Sequence, residues 1–127
     1  MRLKKFNLGY GTQIFKSFSD EARTRILHLL YMKEELSISD LETILDFTQT
    51  KTSRHITYLK NAGLIKSRKY DQWVFYSIKD EGYNMISVIF EFLSKDPVLQ
   101  EDLETFDTMQ SNLALAANKI EAKKYQL

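Results

Sequence analysis

A mainly helical fold carrying one small β-hairpin is what this sequence predicts, and three observations predict it. The chain of 127 residues contains one proline and four glycines, so its helices run with few interruptions. Apolar residues recur at three- and four-residue spacing over most of the length, the pattern of amphipathic helices. The exception is Leu64 to Ile78, where β-branched and aromatic residues are set around Tyr70-Asp71-Gln72, as two strands around a turn require.

Taken in order, Ile14, Phe15 and Phe18 mark a first short helix over Tyr10 to Phe18. Ser19 reads as the N-cap of a second helix, with Asp20 and Glu21 in the first turn and Ala22, Ile26, Leu29 and Leu30 along one face. Ser39 and Glu42 form a capping box ahead of a short third helix that ends near Asp46-Phe47. Thr48 caps a fourth helix whose apolar positions are sparse, Ile56, Leu59 and Ala62, and Gly63 stands where a helix-terminating glycine belongs. The strands Leu64 to Arg68 and Trp73 to Ile78 follow, with Val74, Tyr76 and Ile78 expected inward and Trp73 and Phe75 outward.

Asp80 caps a helix with two apolar stripes: Tyr83, Ile86, Ile89, Phe90 and Leu93 on one side, Met85, Val88 and Phe92 on another. A surface helix needs one such stripe, so the second asks for a partner. Asp96-Pro97 starts a last helix, and Leu99, Leu103, Phe106, Leu113, Ala117 and Ile120 follow it in alternating steps of four and three, with Gln110 the polar seam position. That heptad-like run predicts one long C-terminal helix packed on its symmetry mate. The dimer interface expected from these elements comprises Ile14, Phe15, Tyr83, Ile86, Phe90, Leu99, Leu103, Phe106, Leu113 and Ile120. Residues 1–127 read as one domain, with a core over 10–79 and dimerisation helices over 80–127.

Charge is distributed unevenly. Between Thr48 and Lys79 stand Lys51, Arg54, Lys60, Lys66, Arg68, Lys69 and Lys79 against Asp71 alone, a net +6, whereas the whole chain carries +1 and the remainder therefore −5. A concentrated positive field on a polar helix and the hairpin behind it is the footprint of a double-stranded DNA reader. The order of elements is that of a winged helix-turn-helix, in which the polar helix enters the major groove and the hairpin wing touches the backbone.

At this point the residues become specific. From Phe15 to Lys79 the chain resembles the ArsR-type winged-helix repressor family. The marks are Ser19-Asp20 with Arg23 and Arg25-Ile26-Leu27, Gln49, Ser53-Arg54-His55, Leu59-Lys60, Ala62-Gly63-Leu64 and Trp73-Val74-Phe75-Tyr76. The resemblance implies a homodimeric bacterial or archaeal transcription factor, usually a repressor, released from DNA by an effector. Metal-sensing relatives carry cysteine in the third helix, where this chain reads Leu36-Ser37-Ile38-Ser39-Asp40-Leu41, and serine and isoleucine cannot replace thiolate ligands. Thr52 and Thr57 are more polar than the family pattern, and the wing tip lacks its common glycine–basic pair.

The recognition helix accordingly offers Thr48, Gln49, Thr50, Lys51, Ser53, Arg54 and Thr57 to DNA. Gln49 has the donor–acceptor pair that reads adenine, and Lys51 or Arg54 suits guanine or phosphate. The wing offers Lys66, Arg68, Lys69, Tyr70 and Gln72 to the backbone. His55 is expected to pack as a helix histidine, and His28, beside a leucine run, to lie in the core or at its rim.

Other functions fare worse. The chain has no cysteine, which removes disulfides, thiolate metal sites and thiol redox sensing. It has no phosphate-cradling glycine loop, no metal motif and no serine–histidine–acid set with meaningful spacing, so no catalytic residue, cofactor or metal is assigned. It has neither a secretion signal nor a membrane-length apolar run, so a cytoplasmic location is expected. The expectation is a homodimeric regulator of double-stranded DNA with a non-thiol effector, small molecule or protein, or none. A winged-helix module for protein interaction or RNA association is the alternative.

Overall fold

The computed structural model describes residues 6–124. Among them seven helices and three short strands follow in the order α1 (Leu8–Phe18), α2 (Glu21–Lys33), β1 (Leu36–Ser37), α3 (Ile38–Leu45), α4 (Gln49–Asn61), β2 (Ile65–Tyr70), β3 (Trp73–Ile78), α5 (Asp80–Leu93), α6 (Pro97–Ser111) and α7 (Ala116–Lys124). The small sheet runs β1-β3-β2, all antiparallel, with Ile65 opposite Ile78 and Tyr70 opposite Trp73. This is the helix-turn-helix and wing that the sequence predicts.

The packing centre is α2. Its residues Ile26 to Leu30 are all buried, His28 among them, so the helix is wrapped on every side rather than along one stripe. The wrapping elements are α1, α4, α6, β1 and β3. Beside them, Ile86 and Phe90 of α5 are also fully enclosed, and the Phe90 ring meets His28 edge-on at 4.9 Å. Burying a side chain of Phe90's size stabilises the fold by about 2–3 kcal/mol.

Several termini fall elsewhere than the sequence predicts. Asp20, not Ser19, caps α2 by accepting from the Arg23 amide, because Ser19 is used as the C-cap of α1. The capping box of α3 is Ser37 with Asp40, two residues ahead of the Ser39–Glu42 pair. Lys79 occupies the N-cap of α5, and Asp80 is its first helical residue. Thr48 and Asp96 cap α4 and α6 as expected.

Two further differences concern the sheet and the C-terminal region. Phe75, expected outward, is buried: it sits in the central strand between Ser37 of β1 and Arg68 of β2, whose guanidinium lies 5.3 Å from its ring. The run from Leu99 to Ile120 is two helices, not one. The break lies at Asn112–Leu115, where Leu113 adopts φ 57° and stands 70% exposed. Before the break, Leu99 and Phe106 pack inside their own protomer, on α2 and α3, rather than on a symmetry mate. Polar contacts fix the same docking: Arg25 donates twice to Asp102 at 3.0 and 2.9 Å, and the Lys33 ammonium lies 4.5 Å from the Phe106 ring.

Candidate nucleic-acid interface

The interface is built on α3, the turn after it and α4. Asp46 ends α3 in the left-handed region at φ 56°, a conformation that short polar side chains tolerate. Thr48 then opens α4: its hydroxyl oxygen accepts from the Lys51 amide at 3.1 Å, and the Thr52 hydroxyl donates to the Thr48 carbonyl at 2.9 Å. The inner face of α4 is Thr52, His55, Ile56 and Leu59, all buried. Packing of that face leaves Thr50, Arg54, Thr57 and Asn61, spaced four, three and four apart, exposed along the opposite face, with Gln49 and Lys60 beside them.

Both flanks of α4 are held. The Arg23 guanidinium lies 4.0 Å from the Tyr58 ring centroid, and the Gln13 amide donates to the Tyr58 hydroxyl at 3.1 Å. Arg23 also donates to the Ser17 and Lys16 carbonyls at the end of α1, so one side chain joins three helices. At its C-terminus α4 closes in a Schellman motif, with the Leu64 amide donating to Leu59 and the Gly63 amide to Lys60. Gly63 has φ 82°, which explains the glycine, and its carbonyl accepts from the Tyr10 hydroxyl at 2.8 Å. The wing therefore leaves α4 at an angle fixed from α1.

Not all the residues expected to meet DNA are equally free. Gln49, Thr50, Arg54 and Thr57 are exposed. Ser53 is half-buried, and Lys51 is too, its ammonium 4.0 Å from the Phe47 ring. In the wing, Lys66, Lys69, Tyr70 and Gln72 are exposed, but Arg68 donates to both carboxylate oxygens of Glu35 at 2.7 Å. Its charge is neutralised within the protein, and Glu35 lies outside the basic block that made Arg68 look available. Lys60, absent from the expected contacts, lies one turn beyond Thr57 and donates to Ser67 at 3.1 Å, bridging helix and wing. Its signal was the helical spacing itself.

His55 is buried beneath α4, and burial lowers its pKa, with Asp20 opposing and Arg54, Arg23 and Lys51 adding to the shift. It packs as expected and presents no edge to a base. A cleft of about 880 Å³ opens next to it, between the start of α2, α4 and the α5–α6 turn, with Phe18, Phe47 and Leu99 on its walls and Arg25, Arg54, Asp20 and Glu21 around it. The segment Leu36 to Leu41 ties distant parts of the chain together, because the buried Asp40 carboxylate accepts from the Ser37 amide at 3.2 Å and the Ala116 amide at 2.9 Å.

The residues expected at a dimer interface divide. Ile14, Ile86, Phe90, Leu99 and Phe106 are enclosed in the protomer core, Leu103 is half-buried against it, and Ile120 lies against the wing tip beside Tyr70. Phe15 at 63% and Tyr83 at 45% stay exposed, like Leu113. The aliphatic and phenyl side chains left outside on α1 and α5 are Leu8, Phe15, Val88, Leu93 and Phe92, the last 81% exposed. Val88 and Phe92 belong to the second stripe of α5. Among the described residues no helix is long and apolar enough to cross a membrane.

Comparison with known proteins agrees with this geometry. The model for bacterial regulatory proteins of the arsR family matches residues 20–67, from the cap of α2 into β2. The arsenical resistance operon repressor of Escherichia coli K12 is 44% identical over 66 residues, 52% of this chain and 56% of the repressor. The chain thus spans little more than half the length of that relative. The arsenical resistance operon repressor of Bacillus subtilis is 33% identical over 57% of this chain and 69% of its own. The crystal structure of the transcriptional regulator HlyU from Vibrio vulnificus superposes with a TM-score of 0.59 at 31% identity, over 72% of this chain and 97% of that one. With a family match through the helix-turn-helix, a repressor 33% identical over 69% of its own length and a regulator structure 31% identical that superposes over 97% of its chain, this chain belongs to the arsR family of bacterial regulatory proteins.

Proposed function

We propose that the protein is a homodimeric transcriptional regulator, acting as a repressor, that binds a pseudo-palindromic operator in double-stranded DNA. The observation that carries this is the division of α4. Its inner face is packed to the last residue, while Gln49, Thr50, Arg54 and Thr57 stand outward, and Lys60 and the wing's Lys66 and Lys69 are exposed as well. Side chains of these types at the N-terminal half of such a helix read base edges, and the lysines hold phosphates. A cytoplasmic location goes with that target.

The exposed Leu8, Phe15, Val88 and Phe92 support a second copy of the chain on the α1–α5 face. A two-fold there sets two recognition helices about one helical turn, ~34 Å, apart along the duplex. The reading is tested on the protein's own promoter region against random-sequence duplex at moderate salt. Arg54→Ala is expected to remove the preference for the promoter, and Phe15→Glu with Phe92→Glu is expected to yield a monomer with weakened binding. Equal affinity of the native protein for both duplexes, or a fully active monomer, overturns it.

A further inference from the structure

The wing tip is not bare. Asp71, the single acid of the basic block, is paired at 2.6 Å with the Lys123 ammonium of α7, a residue distant in sequence. Ile120 and Lys124 of the same helix lie with Tyr70 and Asp71 around a small groove of about 240 Å³. The start of α7 is anchored firmly: Leu115 and Ala116 are buried, the Ala116 amide donates to the enclosed Asp40 carboxylate, and Asn118 accepts from the Leu115 amide at 3.2 Å. Lys119 stands one turn before Lys123 on the same side of the helix, exposed. Lys124 is exposed as well and shares a loose contact of 3.7 Å with Glu121.

We propose that α7 is a second backbone-contacting arm, clasped to the wing, which cancels the charge of Asp71 and carries Lys119 and Lys124 to DNA phosphates beside the wing tip. The proposal rests on the DNA-binding reading above and extends it to a part of the chain outside the helix-turn-helix and the wing. Three features favour phosphate as the partner. The arm continues the positive field of Lys66 and Lys69, its anchored base holds the lysines in place, and its own best-formed ion pair removes the negative charge of Asp71 from the surface it joins. Without Lys123, an exposed carboxylate at the tip of the wing would repel the backbone that the wing approaches.

Binding of the full chain to a random-sequence duplex, followed by fluorescence anisotropy over a range of potassium chloride, tests the arm. Lys119→Ala with Lys124→Ala is expected to weaken binding and to flatten the slope of log K against log salt by about 0.9 for each phosphate no longer neutralised. Lys123→Ala is expected to weaken binding, and adding Asp71→Asn to recover it, because the bared acid is then removed. Lys66→Ala with Lys69→Ala serves as the reference for the wing. If that reference flattens the slope while the α7 variants leave affinity and slope unchanged, or tighten binding, the arm is overturned alone. If the native protein binds no duplex in a salt-dependent way, the DNA-binding reading falls and the arm with it.

Discussion

Replacing Asp102 by Asn isolates what fastens α6 to the rest of the protein. Asp102 has 5% of its side chain exposed and takes two parallel hydrogen bonds from Arg25, which is 26% exposed. Two charge-assisted bonds to a carboxylate in such a site contribute about 1.5–3 kcal/mol, and breaking a fully enclosed pair costs about 3–5 kcal/mol. Arg25 retains some water and its guanidinium lies 5.2 Å from the Phe47 ring, so a value toward the lower range, about 2–3 kcal/mol, is expected. Arg25→Met should cost more, because it leaves the carboxylate as an unpaired charge in the more enclosed position. For a chain of this size about 3–5 °C accompanies each kcal/mol, so thermal and urea unfolding followed by circular dichroism resolve both variants easily. A loss below about 0.5 kcal/mol for Asp102→Asn would refute the reasoning. The pair would then be a solvent-screened contact, and α6 would be held mainly by its apolar contacts, Leu99 and Phe106 first.

Two other expectations concern stability. His28 is enclosed against Phe90, with its Nε2 3.2 Å from the Ser94 hydroxyl and its Nδ1 unpartnered, and burial lowers its pKa, Asp102 opposing. The unfolded chain therefore binds the His28 proton first as pH falls. Stability is lost below the unfolded value of about 6.5, by at most ~1.4 kcal/mol per pH unit for one proton, until the folded pKa is reached. Urea titrations from pH 7 to pH 5 should show a shallower acid loss in His28→Leu than in the native protein, and an unchanged slope contradicts the assignment. Gly63 and Leu113 occupy the same position after their helices, at φ 82° and 57°, and both close Schellman-type turns. Gly63→Ala is expected to destabilise by about 1–2 kcal/mol and Leu113→Gly to stabilise by about 0.5–1 kcal/mol, since L side chains are strained there and Leu113 buries little. Shifts of the same sign in both would contradict it.

Helix α4 is legible in the sequence because its signals are local. Thr48, the sparse apolar positions and Gly63 lie within one element and need no knowledge of the rest. The two-residue strand β1 left no such trace, since neither residue pattern nor propensity acts over so short a span, and its partner lies far along the chain. The sequence points to Ser39–Glu42, but the box forms at Ser37–Asp40, where the Asp40 carboxylate also accepts from the Ala116 amide at the start of α7, a contact no local pattern shows. The apolar period from Leu99 onward is helical on both sides of its break, but a period does not say which surface it faces. Here the protomer's own α2 and α3 take Leu99 and Phe106. Nor did glycine or proline mark the break at Leu113. Arg68 looked free for DNA because Glu35, which takes its charge, lies on a different element.

The order β1-β3-β2 leaves β2 as an outer strand of six residues with one side unpaired. Open amide and carbonyl groups along such an edge invite another chain to add itself to the sheet, the first step of many aggregation routes. Lys66 and Lys69 lie along this edge, and like charges repel a second copy of the same hairpin. Solubility and the proposed hold on a nucleic acid thus draw on the same few side chains. Stripping the wing of all its positive charge should therefore bring precipitation as well as weaker binding, which is why changing one or two lysines at a time gives the cleaner reading.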